Sequence, residues 1–150
     1  MKVSDILKRK GFNVVIAKPS DSVGTLSKLL REKRVGAAIV SSDGVAIDGF
    51  ISERDVTYRL GVHEAELCDM PVANIMTVSV ITCSPDDDVA RVASSMQAHH
   101  IRHIPVVDGK GVCGMVSIRD VLNFRVEELQ QEAAMLRTLA RGATFETQDR

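Results

Sequence analysis

The sequence has no tryptophan, one tyrosine and four phenylalanines in 150 residues. A core with so few rings must be filled by Val, Ile, Leu, Met and Ala, and a ligand site built from it has few stacking platforms. Cysteine is scarce as well. Cys68, Cys83 and Cys113 are widely spaced with no C-x-x-C pair, which argues against a disulfide framework and for a reducing, cytoplasmic setting. No apolar run approaches the roughly 20 residues of a membrane span, and the charged start MKVSDILKRKG does not read as a signal peptide. Charge of one sign is missing too. The formal net charge is -1, with 11 basic and 10 acidic side chains over residues 1–71 and 8 and 10 over 72–150. Such a chain lacks the broad basic footprint of a nucleic-acid or membrane-surface binder. What remains, 45% apolar and 26% charged residues, is the balance of an ordinary globular protein.

The chain repeats itself. Gly49–Val56 (GFISERDV) and Gly114–Val121 (GMVSIRDV) agree at five of eight positions; Pro19–Val23 matches Pro85–Val89 at an offset of 66, and Val3–Leu7 matches Val72–Met76 at an offset of 69. Periodicity gives each unit the order β-α-β-β-α. The first reads as a short helix Ser4–Lys10, a strand Asn13–Ala17, and a helix from a cap at Asp21 or Ser22 to Arg34. Strands Ala37–Val40 and Ala46–Ser52 follow, then a short helix from Glu53 to Leu60. The second reads as strand Val80–Cys83, helix Asp87–His99, strands Ile104–Val107 and Val112–Ser117, and a helix from Ile118. One unit alone buries little surface. The expected fold class is therefore α/β (α+β), with two pseudo-symmetric repeats packed sheet to sheet plus a C-terminal helix. The expected organisation is repeat one over 3–60, a polar linker over 61–71, repeat two over 72–126, a helical extension over 127–142 and a frayed tail over 143–150.

Ser52-Glu-Arg-Asp55 and Ser117-Ile-Arg-Asp120 fall where a strand ends and a helix begins in each unit. A lone S-x-x-D is most simply a capping box. Recurrence in register, with the same Arg in both copies, suggests more. A helix start favours an anion, the Ser hydroxyl and Arg suit a phosphate, and an ionised Asp is better placed to accept from ribose hydroxyls.

The doubled unit, closed each time by G-φ-φ-S-x-x-D, resembles a tandem pair of CBS domains, a Bateman module of the stand-alone bacterial type. The resemblance implies a regulatory, energy-sensing role without catalysis. It implies an adenosyl ligand (AMP, ADP, ATP, NAD(H) or S-adenosylmethionine) held between the repeats, no metal, and a homodimer with an unidentified regulated partner. In repeat two it implies Val80, Ile81 and Thr82 at the adenine slot with Met115 beside them. Arg102, His103 and Pro105 belong to the stretch facing the phosphates, and Ser117, Arg119 and Asp120 hold ribose and phosphate. In repeat one it implies Ser52, Arg54 and Asp55, but Ile16 stands where Thr is usual and Val35-Gly-Ala37 replaces the basic pair. Site one is then the weaker, or borrows basic side chains from repeat two. An adenine is expected between aliphatic side chains.

Other clusters have plainer readings. His99, His100 and His103 lack the further ligands of a metal site. Cys83 reads as a buried structural thiol, not a nucleophile. Lys28, Arg31, Lys33 and Arg34 read as a solvated helix face, and Asp86–Asp88 as acidic residues complementing a helix start. Leu122, Val126, Leu129, Ala133, Leu136 and Ala140 recur at alternating spacings of 4 and 3. This heptad-like seam either folds back onto its own module or pairs with another copy. The rival to ligand sensing is a structural dimerisation or interaction module whose S-x-x-D pairs are only caps.

Overall fold

Val3, Ile6 and Leu7 share one helix face and are all buried; they belong to α1 (Val3–Lys10), which stops at Gly11 with φ 92°. The computed structural model describes residues 1–145. After β1 (Ile16–Ala17) comes α2 (Val23–Lys33), whose Ser22 cap accepts from the Thr25 amide. β2 (Ala37–Val40), β3 (Gly49–Ser52) and α3 (Glu53–His63) complete the first repeat. The second contains α4 (Val89–His99), capped by Asp88, then β4 (His103–Asp108), β5 (Gly111–Ser117) and α5 (Ile118–Phe145). One sheet has the order β1-β2-β3, with β1 parallel to β2 and β2 antiparallel to β3; the other is the antiparallel pair β4-β5. The sheets meet through Phe50 and His103, whose ring centres lie 6.3 Å apart.

The strand expected over Val80–Cys83 does not form; only Cys83 bridges, to Val106. In repeat one, the Ile39 and Ser41 amides donate to the Val15 and Ala17 carbonyls, at 2.9 Å each. The residue matching Ile39 is Pro105, which has no N–H to give. The surviving contacts are the Val107 amide to the Cys83 carbonyl at 2.8 Å and the Cys83 amide to the Pro105 carbonyl at 3.0 Å. The strand expected from Ala46 begins only at Gly49 because Asp43 captures the Val45 and Ala46 amides at 2.8 Å each in an Asx-type turn. Those two bonds, with one from Ser41, hold the Asp43 carboxyl below its ordinary range.

The stretch 61–71, expected to be a polar linker, is folded. α3 runs on to His63, a 3-10 turn follows at Glu64–Asp69, and Leu67 is buried in the first core. α5 passes the expected end at 142 and takes in 143–145 of the segment expected to fray; 146–150 lie outside the described residues. It does not fold back, since Leu129 and Leu136 are exposed. Among the described residues, no helix is long and apolar enough to cross a membrane.

The repeats exchange their leading segments. α1 belongs in sequence to repeat one, yet Val3, Ile6 and Leu7 pack with Val92, Met96, Ile104 and Val116 of repeat two. Conversely, Val72 and Ile75 pack with Leu26, Val40 and Ile51 of repeat one. The backbone bonds match pairwise: the Val3 amide donates to the Asp87 carbonyl at 2.9 Å and Val72 to Asp21 at 2.8 Å; Val89 donates to Met1 and Val23 to Met70, both at 2.9 Å. Gly114 and Gly49 make room for this exchange. A Cβ at Gly114 would lie 2.8 Å from Leu7 Cδ2, and one at Gly49 2.5 Å from Met76 Sδ. Leu7→Ala is accordingly expected to cost about 2–5 kcal/mol. Amide exchange should locate the lost protection in β4 and β5, not in the sheet of Leu7's own repeat; loss confined to β1–β3 would contradict the exchanged packing.

Candidate functional site

Both S-x-x-D pairs are complete capping boxes. The Ser52 amide and hydroxyl donate to Asp55 Oδ2 at 2.8 and 2.9 Å, and the Asp55 amide donates back to Ser52 Oγ at 3.4 Å. Ser117 and Asp120 repeat this at 2.8, 2.8 and 3.2 Å. The capping reading is therefore met in full, and it employs one oxygen of each carboxylate. Among the described residues, nothing donates to Oδ1 of Asp55 or Asp120, so each carboxylate keeps an acceptor free.

Each pair walls a separate cavity, and each cavity draws on both repeats. Cavity A, about 150 Å³, joins Ser52, Arg54 and Asp55 to Val80, Ile81, His100, Arg102, His103 and Pro105, with Phe50 and Glu53. Cavity B, about 940 Å³, joins Met115, Ser117, Arg119 and Asp120 to Asn13, Val14, Val15 and Ala37, with Lys10, Arg31, Arg34, Glu53, Arg102 and His103. Its volume is in the range of ligand-holding clefts, about 300–1,000 Å³. The structure thus separates residues that the sequence reading grouped by repeat. Val80 and Ile81 face the first S-x-x-D pair, while Met115 lies with the second. Thr82 and Ile16 line neither cavity. Arg102 and His103 border both, so repeat two supplies the basic residues that Val35-Gly-Ala37 lacks. Gly36 allows Glu53 and His103 to approach: a Cβ there would lie 3.3 Å from Glu53 Oε1 and 3.4 Å from His103 Cε1.

Residues missed from sequence include Phe50, the one phenyl ring lining cavity A, and Lys10, Arg31 and Arg34 in cavity B. Arg34 and His100 occupy matching αL positions, each with φ 54°, at the ends of α2 and α4, so Arg34 takes in cavity B the place that His100 takes in cavity A. Lys10 reaches cavity B because α1 is exchanged, and its Nζ lies 2.6 Å from Asp120 Oδ2. Burial pushes the Asp120 carboxyl up, but Lys10 and the Ser117 donors outweigh it and hold it below the ordinary value. His103 moves the other way from a typical surface imidazole: burial lowers its pKa, with Glu53 opposing and Lys10 assisting. Arg54 donates to the His100 carbonyl at 3.2 Å, tying α3 to the end of α4; among the described residues, Arg119 has no such bond.

A third cavity, about 990 Å³, is an apolar groove between α3, α4 and α5, lined by Tyr58, Met96, Leu122 and Phe124 and without either Ser–Asp pair. The metal-like clusters dissolve into local roles. Asp86 pairs with Lys2 at 2.9 Å, Asp87 accepts from the Ser84 amide at 2.8 Å, and Asp88 caps α4. His99 Nδ1 lies 2.9 Å from the Ser95 carbonyl, while His103 has already entered β4. Burial, with Asp87 and Cys113 nearby, pushes the Cys83 thiol up to about 12, which keeps it protonated and unreactive at neutral pH.

The CBS domain family matches residues 3–61 and 72–127. The chain belongs to the CBS domain family. Its two CBS repeats are 34% identical over 148 residues to the mitochondrial CBS domain-containing protein CBSX3 of Arabidopsis thaliana, an alignment covering 93% of this chain and 72% of that protein. The CBS-domain protein ATU1752 of Agrobacterium tumefaciens has a similar structure, with a TM-score of 0.81 at 29% identity over 83% of this chain and 99% of that one. The CBS domain pair of the protein MJ0100, solved with 5′-methylthioadenosine and S-adenosyl-L-methionine, gives a TM-score of 0.76 at 25% identity over 85% and 98%. Some relatives are enzymes, among them a homoserine O-acetyltransferase of Methanococcus vannielii, but this CBS pair spans only 24% of that chain.

The depressed Asp120 carboxyl makes a signed prediction. A carboxylate whose pKa is lowered by folding stabilises the fold above its unfolded value near about 3.9 and loses that contribution as pH falls through the folded value. Asp120→Asn should cost about 1 kcal/mol at neutral pH. Denaturation series should show the gap from wild type closing as the medium is acidified below that unfolded value; a gap that widens in acid would contradict the assignment.

Proposed function

We propose that this CBS pair is an adenosyl-ligand sensor with no catalytic activity of its own. Its ligand is an adenine nucleotide (AMP, ADP, ATP or NAD(H)) held in the inter-repeat cavities. The observation that carries the reading is that two capped carboxylates, each with a spare oxygen, stand at helix starts in cavities that both repeats build. The spare oxygen suits ribose hydroxyls. Arg102, and Arg119 in cavity B, suit phosphate. Ligand spanning a cavity contacts both repeats and favours whichever arrangement holds it best, altering a face offered to a partner by population shift. The ligands of MJ0100 support the adenosyl class. The free thiols Cys68, Cys83 and Cys113 fit a reducing cytoplasm.

Calorimetry with AMP, ATP, NAD+, NADH and S-adenosylmethionine tests this, and no heat from any of them with folded protein would sink it. Asp120→Ala should weaken binding more than Asp55→Ala, because cavity B is the roomier and carries the unpaired Arg119; equal losses would contradict that ranking. The second reading, a structural interaction module, is favoured by the completeness of both caps. Thermal shift separates the two, since a ligand binding only the native state raises Tm.

The chain also pairs with a second copy along α5, on this reading. Leu122, Val126, Leu129 and Leu136 are between 52% and 67% exposed on one stripe, and the stripe begins in the apolar groove at Leu122. With Val126 at a and the leucines at d, Glu132 falls at g and Arg137 at e, which face each other across a parallel pair. Leu136→Glu lies beyond the module and should leave it folded while converting dimer to monomer in sedimentation; a dimer unaffected by it pairs elsewhere.

A further inference from the structure

The two cavities differ in charge as well as in size. Cavity A offers Arg54 and Arg102 against Glu53 and Asp55, and Arg54 is already spent on the His100 carbonyl. Cavity B pairs Lys10 with Asp120 at 2.6 Å and still offers Arg31, Arg34, Arg102 and Arg119 against only Glu53. The excess has no counterpart in the other repeat: where α2 carries Arg31 and Arg34, α4 carries Gln97 and His100, and the residue matching Lys10 is Ser79. Basic side chains at a helix end commonly serve only the dipole. Here they come from the end of α1, the end of α2, β4 and the start of α5, and converge on one space of about 940 Å³. A single phosphate, with a charge of about -1.5 to -2, would satisfy the Ser117 end and leave the α2 arginines unused.

We propose that cavity B selects an adenosyl nucleotide carrying two or more phosphates, with Arg31 and Arg34 as the residues that read the phosphates beyond the first. The inference rests on the adenosyl reading above. Asp120 takes the ribose, Arg119 the first phosphate, and the chain beyond it runs toward α2. Cavity A, with balanced charge and about 150 Å³, does not take such a ligand.

Titration of the full chain with adenosine, AMP, ADP and ATP tests the assignment. ADP and ATP should bind roughly tenfold or more tightly than AMP, the size of one added charge-assisted contact, at one polyphosphate per chain. The Arg31→Ser/Arg34→Ser variant, altered only at exposed positions, should lose that gain. Lys28→Ser/Lys33→Ser removes the same charge from the same helix outside the cavity and should keep it. Adenosine and AMP binding without a gain for ADP overturns this inference and leaves the adenosyl reading standing. An equal loss in the lysine variant also overturns it, by reducing the effect to general electrostatics. Absence of binding by all four overturns this inference, while the adenosyl reading falls only if NAD+, NADH and S-adenosylmethionine fail as well.

Discussion

Everything at the site depends on the exchange of leading segments between the repeats. A pair of amide–carbonyl bonds, Val3 to Asp87 and Val72 to Asp21, commits α1 to the second core and the 3-10 turn at Val72–Asn74 to the first. Neither repeat can then complete its core from its own residues. A half-module would expose the slots of Leu7 or Ile75, so the fold is cooperative across the repeat boundary. The same exchange brings Lys10, at the end of α1, against Asp120. An ion pair between residues 110 apart is a direct consequence of where two backbone amides find their acceptors.

On the proposed reading, each S-x-x-D carboxylate serves two purposes at different atoms. Capping uses Oδ2 and the Ser hydroxyl, which fixes the carboxylate at the helix start in a single orientation. Oδ1 is left without a donor among the described residues, on a carboxylate that is already positioned. Preorganisation of this kind lowers the entropy that a ligand must overcome. Cap and binding site are therefore not competing descriptions of these residues. The cap holds the carboxylate in the fixed orientation that recognition of a ribose diol would require.

The repeats, their element order and both caps were legible because each is a local signal: a recurring octapeptide, an apolar period, a polar residue before a helix. The pairing of cavity walls was not, because it depends on which repeat each segment docks against. Val80 and Ile81, expected beside Asp120, line the cavity of Asp55 instead. Pro105 carried a readable warning that strand Val80–Cys83 would lose a rung, but only once its neighbour in the sheet was known. Leu67 sits in a stretch polar enough to pass for a linker, and a single buried leucine does not reveal itself by periodicity. Arg31 and Arg34 looked like an ordinary solvated helix face for the same reason: the cavity beside them is made by distant chain.

A formal charge of -1 conceals how unevenly that charge is distributed. Glu53, Arg102 and His103 stand on the wall common to both cavities, with Gly36 permitting the close approach of Glu53 and His103. An anion in one cavity therefore competes with an anion in the other for Arg102, and both act on an imidazole whose pKa burial lowers. Two sites that share their cation are not electrically independent, whatever the symmetry of their capping boxes. The surplus arginines lie on the side of Asp120 and the one phenyl ring, Phe50, on the side of Asp55. The near-symmetric backbone thus carries two chemically unequal cavities, one suited to charge and the other to a small apolar surface.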